Sequence, residues 1–322
     1  MCLEDFFQQH NTVVAIVGLS KNAGKTTFLN WILKKSAGEK IGVTTTGRDG
    51  EEIDTVTELK KPKVCLPANV YFTAFNDVSV KNASHLECIQ KLPFRTIGKN
   101  LWLFKTLDNI ETEIVGPANV SEQEKLIAIF HEIGCNTVFV DGSLDRKSIC
   151  LSPIITDVVL IVGASGGTIN ELIKMAEKIN TCTNGVSPLI DFDGGTPSVR
   201  TNGVSPLINN IYSNETTIIN QLNQNPDYIY LPGMLTEPSW FKLKNHLLNY
   251  KGKIIFNHAL NINISLNDLN TLCATKRVCS ITKFPLSLVA INPFSVKNEH
   301  IDIDVLKNKI KNIFGDKVIT FG

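Results

Sequence analysis

The sequence has no C-x-x-C pair, no apolar run longer than a β-strand and almost no net charge, and each absence removes a class of function. Its eight cysteines, Cys2, Cys65, Cys88, Cys135, Cys150, Cys182, Cys273 and Cys279, are scattered, as are its six histidines. Zinc or iron–sulfur ligation needs clustered ligands, so no metal cluster is expected, and the thiols read as reduced core residues of a cytoplasmic protein. A formal charge of +1 gives no electrostatic case for nucleic acid or an anionic membrane surface. The segment Met1 to Asn11 carries Glu4 and Asp5 and lacks a basic start, so no targeting segment is expected. The apolar runs are too short to span a bilayer. At 322 residues the chain can bury one large domain or two modest ones.

What is present begins at Thr12. The run Val13-Val14-Ala15-Ile16-Val17 meets Gly18-Leu19-Ser20-Lys21-Asn22-Ala23-Gly24-Lys25-Thr26-Thr27, and a helical pattern follows. A buried strand, a glycine-hinged turn and a helix in that order form a phosphate-binding loop, in which main-chain N–H groups and the helix N-terminus hold a polyphosphate. Gly18, Lys21, Asn22, Ala23, Gly24, Lys25, Thr26 and Thr27 are the expected nucleotide contacts. Lys25 is expected to reach the β- and γ-phosphates and the Thr26 hydroxyl to join Mg²⁺. Five residues separate Gly18 from the Gly24-Lys25 pair, where the usual motif has four, and Leu19 stands where the first glycine would be.

Two further stretches carry chemistry. A strand from Lys40 to Thr46 ends in Thr44-Thr45-Thr46-Gly47-Arg48-Asp49-Gly50-Glu51-Glu52, a polar loop at the edge where open α/β sheets bind ligands; a solvated turn is the alternative. There Arg48 would stabilise phosphoryl charge, while Asp49 and Glu51 would position an attacking or Mg²⁺-bound water. The second stretch, Thr137-Val138-Phe139-Val140-Asp141, is an apolar strand ending in an acid, as a Walker-B element requires, and Asp141 is preferred over Asp145 because it follows the run directly.

Strand-like and helical segments alternate along the chain, which predicts an α/β fold with a mostly parallel sheet and helices on both faces. Ser121 and Glu124 suggest a capping box for a helix over 121–133. The octapeptide Thr183 to Ile190 recurs letter for letter as Thr201 to Ile208, which reads as an exposed, duplicated insertion or linker. The expected division is therefore a nucleotide-binding domain over 1–180, the insertion over 181–210, and an α/β portion over 211–322 that continues or packs on the sheet. In that last portion Asn292-Pro293 reads as a strand-end turn, with a nucleotide-base contact as the alternative.

Taken together, Ser20 to Thr27, Thr46 to Glu51, Gly116-Pro117 and Asp141 to Ser148 resemble the P-loop subunit of the reactivating factor for lysine 5,6-aminomutase, within the dethiobiotin synthetase-like branch of P-loop proteins. That branch tolerates the five-residue gap. The resemblance covers about residues 12 to 165. It implies an ATP- and Mg²⁺-dependent helper that restores a damaged adenosylcobalamin enzyme together with a second reactivase subunit. The candidate catalytic residues read from the motifs are Lys25, Arg48, Asp49 and Asp141, and the candidate metal ligands Thr26, Asp141 and Glu51. A dethiobiotin synthetase-like ligase and a non-hydrolysing nucleotide-binding adaptor remain the alternatives.

Overall fold

The structure, a computed structural model, describes residues 11–36, 38–46, 48–49, 63–81, 83–142, 149–189, 215–231, 233–294 and 301–321, and of Arg48 and Asp49 the backbone alone. It is an α/β protein of two compact units, one formed by residues 1–172 with 285–322 and the other by 173–284. These bounds differ from a division along the chain at 180 and 210, because the chain leaves the first unit and later returns to it.

The apolar run after Thr12 forms β1 (Thr12–Gly18), and α1 (Lys25–Lys35) follows the loop. Then come β2 (Ile41–Thr45), β3 (Val70–Ala74), the short α2 (Asp77–Lys81), β4 (Leu86–Thr96), β5 (Lys99–Thr106), α3 (Val120–Glu132), β6 (Thr137–Asp141), β7 (Asp157–Gly163) and α4 (Ile169–Gly185). The second unit contributes α5 (Glu215–Asn223), β8 (Tyr228–Leu231), α6 (Glu237–Asn249), β9 (Lys253–His258), α7 (Leu266–Ala274) and β10 (Val278–Thr282). The chain then returns with β11 (Leu286–Asn292), α8 (Ile303–Phe314) and β12 (Val318–Thr320).

In the first unit, nine described strands lie in the order β12-β11-β7-β1-β6-β2-β3-β5-β4. All pairs from β12 to β3 are parallel, and β5 pairs antiparallel with both β3 and β4. Parallel strands must be covered on both faces, which is why β1 and β7 are apolar at almost every position. Val14, Ile16, Phe139, Val159 and Ile161 pack against Phe28, Leu29, Ile32 and Leu33 of α1. The other face carries Phe130 of α3, which fills the space Gly42 leaves open.

The cap of α3 differs from the expected box. Asn119 is the N-cap, its side chain accepting the Glu122 N–H at 2.9 Å. Ser121 is exposed in the first turn, and Glu124 instead accepts a hydrogen bond from the Ser152 hydroxyl. The helix starts two residues earlier than the box implied because Asn119, extended at φ −118°, meets the geometric need of an N-cap first.

The second unit is a four-stranded parallel sheet in which Ser187–Pro188 pairs with β10, β10 with β9 and β9 with β8. Its core joins Ile229, Leu231, Ile254, Phe256 and Val278 to the inner faces of α5, α6 and α7. The first copy of the repeated octapeptide is exposed at Asn184, Ser187 and Pro188, as expected, but it is structured: it ends α4, buries Val186 and supplies the paired Ser187–Pro188. The second copy, 201–208, lies outside the described residues, as does the lead-in before Asn11. Of the cysteines, Cys135, Cys150, Cys182, Cys273 and Cys279 are buried thiols, as expected of core residues, whereas Cys65 is half-buried and Cys88 exposed.

At the carboxyl end of β9, His258 is 2% exposed, accepts the Leu260 N–H on Nδ1 at 3.0 Å and meets the Phe284 ring edge-to-face. Burial pushes its pKa from the ordinary 6.5 down to about 4. In that window the unfolded chain binds a proton that the folded one refuses, so the stabilising contribution is complete above pH 6.5 and is lost as the pH falls towards 4.

Two outcomes are expected. Asn119→Ala should cost about 1 kcal/mol in urea denaturation and Ser121→Ala much less, the reverse of what a Ser121 box requires. Between about pH 7.5 and about pH 5 the His258 contribution should fall by roughly 2 kcal/mol, and His258→Asn, which keeps an acceptor for Leu260, should flatten that dependence.

Candidate functional site

The loop after β1 begins one residue later than the sequence spacing implies. Leu19 N–H still donates to the Ile161 carbonyl of β7 at 2.8 Å, and the Leu19 side chain is buried. The extra residue therefore prolongs the ladder, and the turn proper runs from Ser20 to Gly24. Within it Asn22 (φ 60°) and Gly24 (φ 98°) are left-handed and flank Ala23, an arrangement that gathers main-chain N–H groups into an anion-binding concavity.

The loop delivers an open helix end. Gly24 is the N-cap of α1 and makes no side-chain cap, and the first turn contains no acid. Every other described α-helix, α2 to α8, has an Asp or Glu in its first turn. The helical ladder starts with Phe28 N–H donating to Gly24 O at 3.0 Å, so the N–H groups of Lys25, Thr26 and Thr27 lie ahead of it. Positive partial charge at this terminus is left for an anion to take. Lys25, Thr26 and Thr27 are half-buried here, and Lys21 is exposed.

Strand pairing brings the other candidates to the same edge. Asp141 closes β6 between Ile16 of β1 and Thr45 of β2, and is 3% exposed. Its carbonyl accepts from Thr46 N–H and from the Thr45 hydroxyl, each at 3.1 Å, which ties the start of the second loop to the tip of β6. Gln123 of α3, which no local pattern singles out, braces the same loop: its amide donates to Thr45 O at 2.6 Å and Pro117 O at 2.7 Å. The Arg48–Asp49 backbone continues as a two-residue strand paired antiparallel with Ile114–Val115. Gly47, Glu51 and Asp145 lie outside the described residues.

Two strand ends grip the first loop. A Cβ on Gly163, the last residue of β7, would stand 2.4 Å from Ala23 O and 2.5 Å from Ala23 Cα, so the loop backbone occupies the place of a side chain. In register beside it, Asn292 of β11 turns its amide onto Ala23, a contact that neither a plain strand-end turn nor a base contact describes. Gly163 could have been suspected from its place at a strand end before Ala164 and Ser165. Nothing local to Asn292 announces a partner 269 residues away.

No family model, curated protein or solved structure matches the chain.

Because the obstacle at Gly163 is main chain, it cannot rotate aside. Gly163→Ala is expected to cost about 1–3 kcal/mol in urea denaturation, although alanine is ordinarily the better residue in a strand.

Proposed function

We propose that this chain is a Mg²⁺-dependent ATPase subunit of a reactivating factor for an adenosylcobalamin-dependent lysine 5,6-aminomutase, acting with a second reactivase subunit. The observation that carries the nucleotide part is the uncapped, acid-free N-terminus of α1 behind the left-handed turn at Asn22 and Gly24. The client and partner rest on the resemblance of Thr46 to Glu51 and Asp141 to Ser148 to that family.

In this reading the N–H groups at the start of α1 bind the phosphate chain, and the Lys25 ammonium adds a charge-assisted contact that grows as charge builds on the transferring group. Thr26 and Asp141 offer a hydroxyl and a carboxylate, an all-oxygen donor set that suits Mg²⁺. When bound, that ion neutralises phosphate charge. Asp141 sits at a strand tip whose carbonyl also holds Thr45 and Thr46, so a change at the phosphate can pass into the loop that follows. Arg48, Asp49 and Glu51, carried by that loop, take the roles of charge stabiliser and water-positioning groups.

The decisive experiment is phosphate release by the purified chain, alone and with the second subunit and inactivated aminomutase. Turnover should rise with the inactivated mutase and fall with Asp141→Asn, and Lys25→Ala should weaken Mg-ATP binding at least about tenfold by calorimetry. Turnover driven instead by a small carboxylate or amine would replace this reading with a synthetase, and binding without any turnover would replace it with an adaptor.

A further inference from the structure

We infer that Asn292 is a positioning residue for the phosphate-binding loop, setting the direction of the Gly24 N–H; the inference rests on the nucleotide reading above and deepens it. Asn292 closes β11 in register with Gly163 and is 6% exposed. Its Nδ2 donates to the Ala23 carbonyl at 3.3 Å, and its Oδ1 accepts the Phe294 N–H at 3.2 Å. These two partners fix which end of the amide faces the loop. Turned over, it would set oxygen against a carbonyl and NH₂ against an N–H.

The space for this contact exists because residue 24 is glycine. A Cβ there would lie 2.1 Å from Asn292 Nδ2, and at φ 98° a side chain would be strained as well. The Ala23 carbonyl and the Gly24 N–H belong to one trans peptide plane and point in opposite directions. Holding the carbonyl towards β11 therefore turns the Gly24 N–H away from β11. That N–H immediately precedes those of Lys25, Thr26 and Thr27, so Asn292 aligns it with the open end of α1. Gly163 limits the same peptide from the β7 side, its absent side chain leaving room for Ala23 and nothing more.

A strand-end turn needs only the Oδ1 contact to Phe294. It requires neither the Nδ2 contact across the sheet nor the burial of the whole side chain.

The test is calorimetry on the full chain with Mg-ATP and with inorganic tripolyphosphate plus Mg²⁺, which carries the phosphate chain without ribose or base. Asn292→Ala should weaken both ligands by the same factor, about tenfold. Asn292→Asp keeps the shape and removes the donor; it should weaken both at least as much, and it serves if the alanine variant does not fold. Loss confined to ATP would make Asn292 a base contact and overturn the inference, as would unchanged affinity for both ligands. Failure of the wild-type chain to bind either ligand would sink the nucleotide reading and this inference with it, whereas wild-type binding with undiminished variants sinks this inference alone.

Discussion

Everything chemical in the first unit depends on β1 lying in parallel register between β6 and β7. Parallel strands of matched register end on the same side, so Gly18, Asp141 and Gly163 reach one edge without any residue being placed there individually. The same pairing makes both faces largely apolar, and a polar pair admitted there, Thr44 with Thr73, is hydrogen-bonded within itself at 3.1 Å. Asp141, 3% exposed, lies at a strand tip, where its main-chain carbonyl also holds Thr45 and Thr46.

The open end of α1 carries a thermodynamic cost of its own. A glycine N-cap without a capping side chain forgoes roughly a few tenths of a kcal/mol, and α3, α7 and α8 show that this chain supplies caps elsewhere, from Asn119, Ser265 and Asp302. Lys34 and Lys35 in the last turn of α1 complement the dipole at its far end, so the helix is optimised everywhere except where an anion would bind.

Much of the central sheet was legible because burial on both faces writes long apolar runs, and the loop was legible because glycine, lysine and threonine follow such a run at a helix start. The α3 cap was misread since Ser121 and Glu124 satisfy a local pattern that Asn119 satisfies two residues earlier. The edge strand β4 escaped notice because its alternation is broken from Glu87 to Lys91, while Lys91, Pro93 and Arg95, which alternate with buried Leu92, Phe94 and Thr96, suit an exposed edge. The first octapeptide looked like a linker from its glycine and proline, yet tertiary pairing with β10 uses both Ser187 and Pro188. The discontinuous first unit could not be read linearly, since no residue near 285 marks a return to an older sheet. Gln123 and Asn292 were invisible as braces for the same reason: their partners are set by topology.

That return has a consequence for how the molecule is made. The loop at 18–27 precedes the whole second unit in the chain, yet the amide held against its backbone lies at 292, beyond that unit. A nascent chain carries the loop's sequence long before it carries that amide. The contact between Asn292 and Ala23 can therefore form only after the second unit has been made.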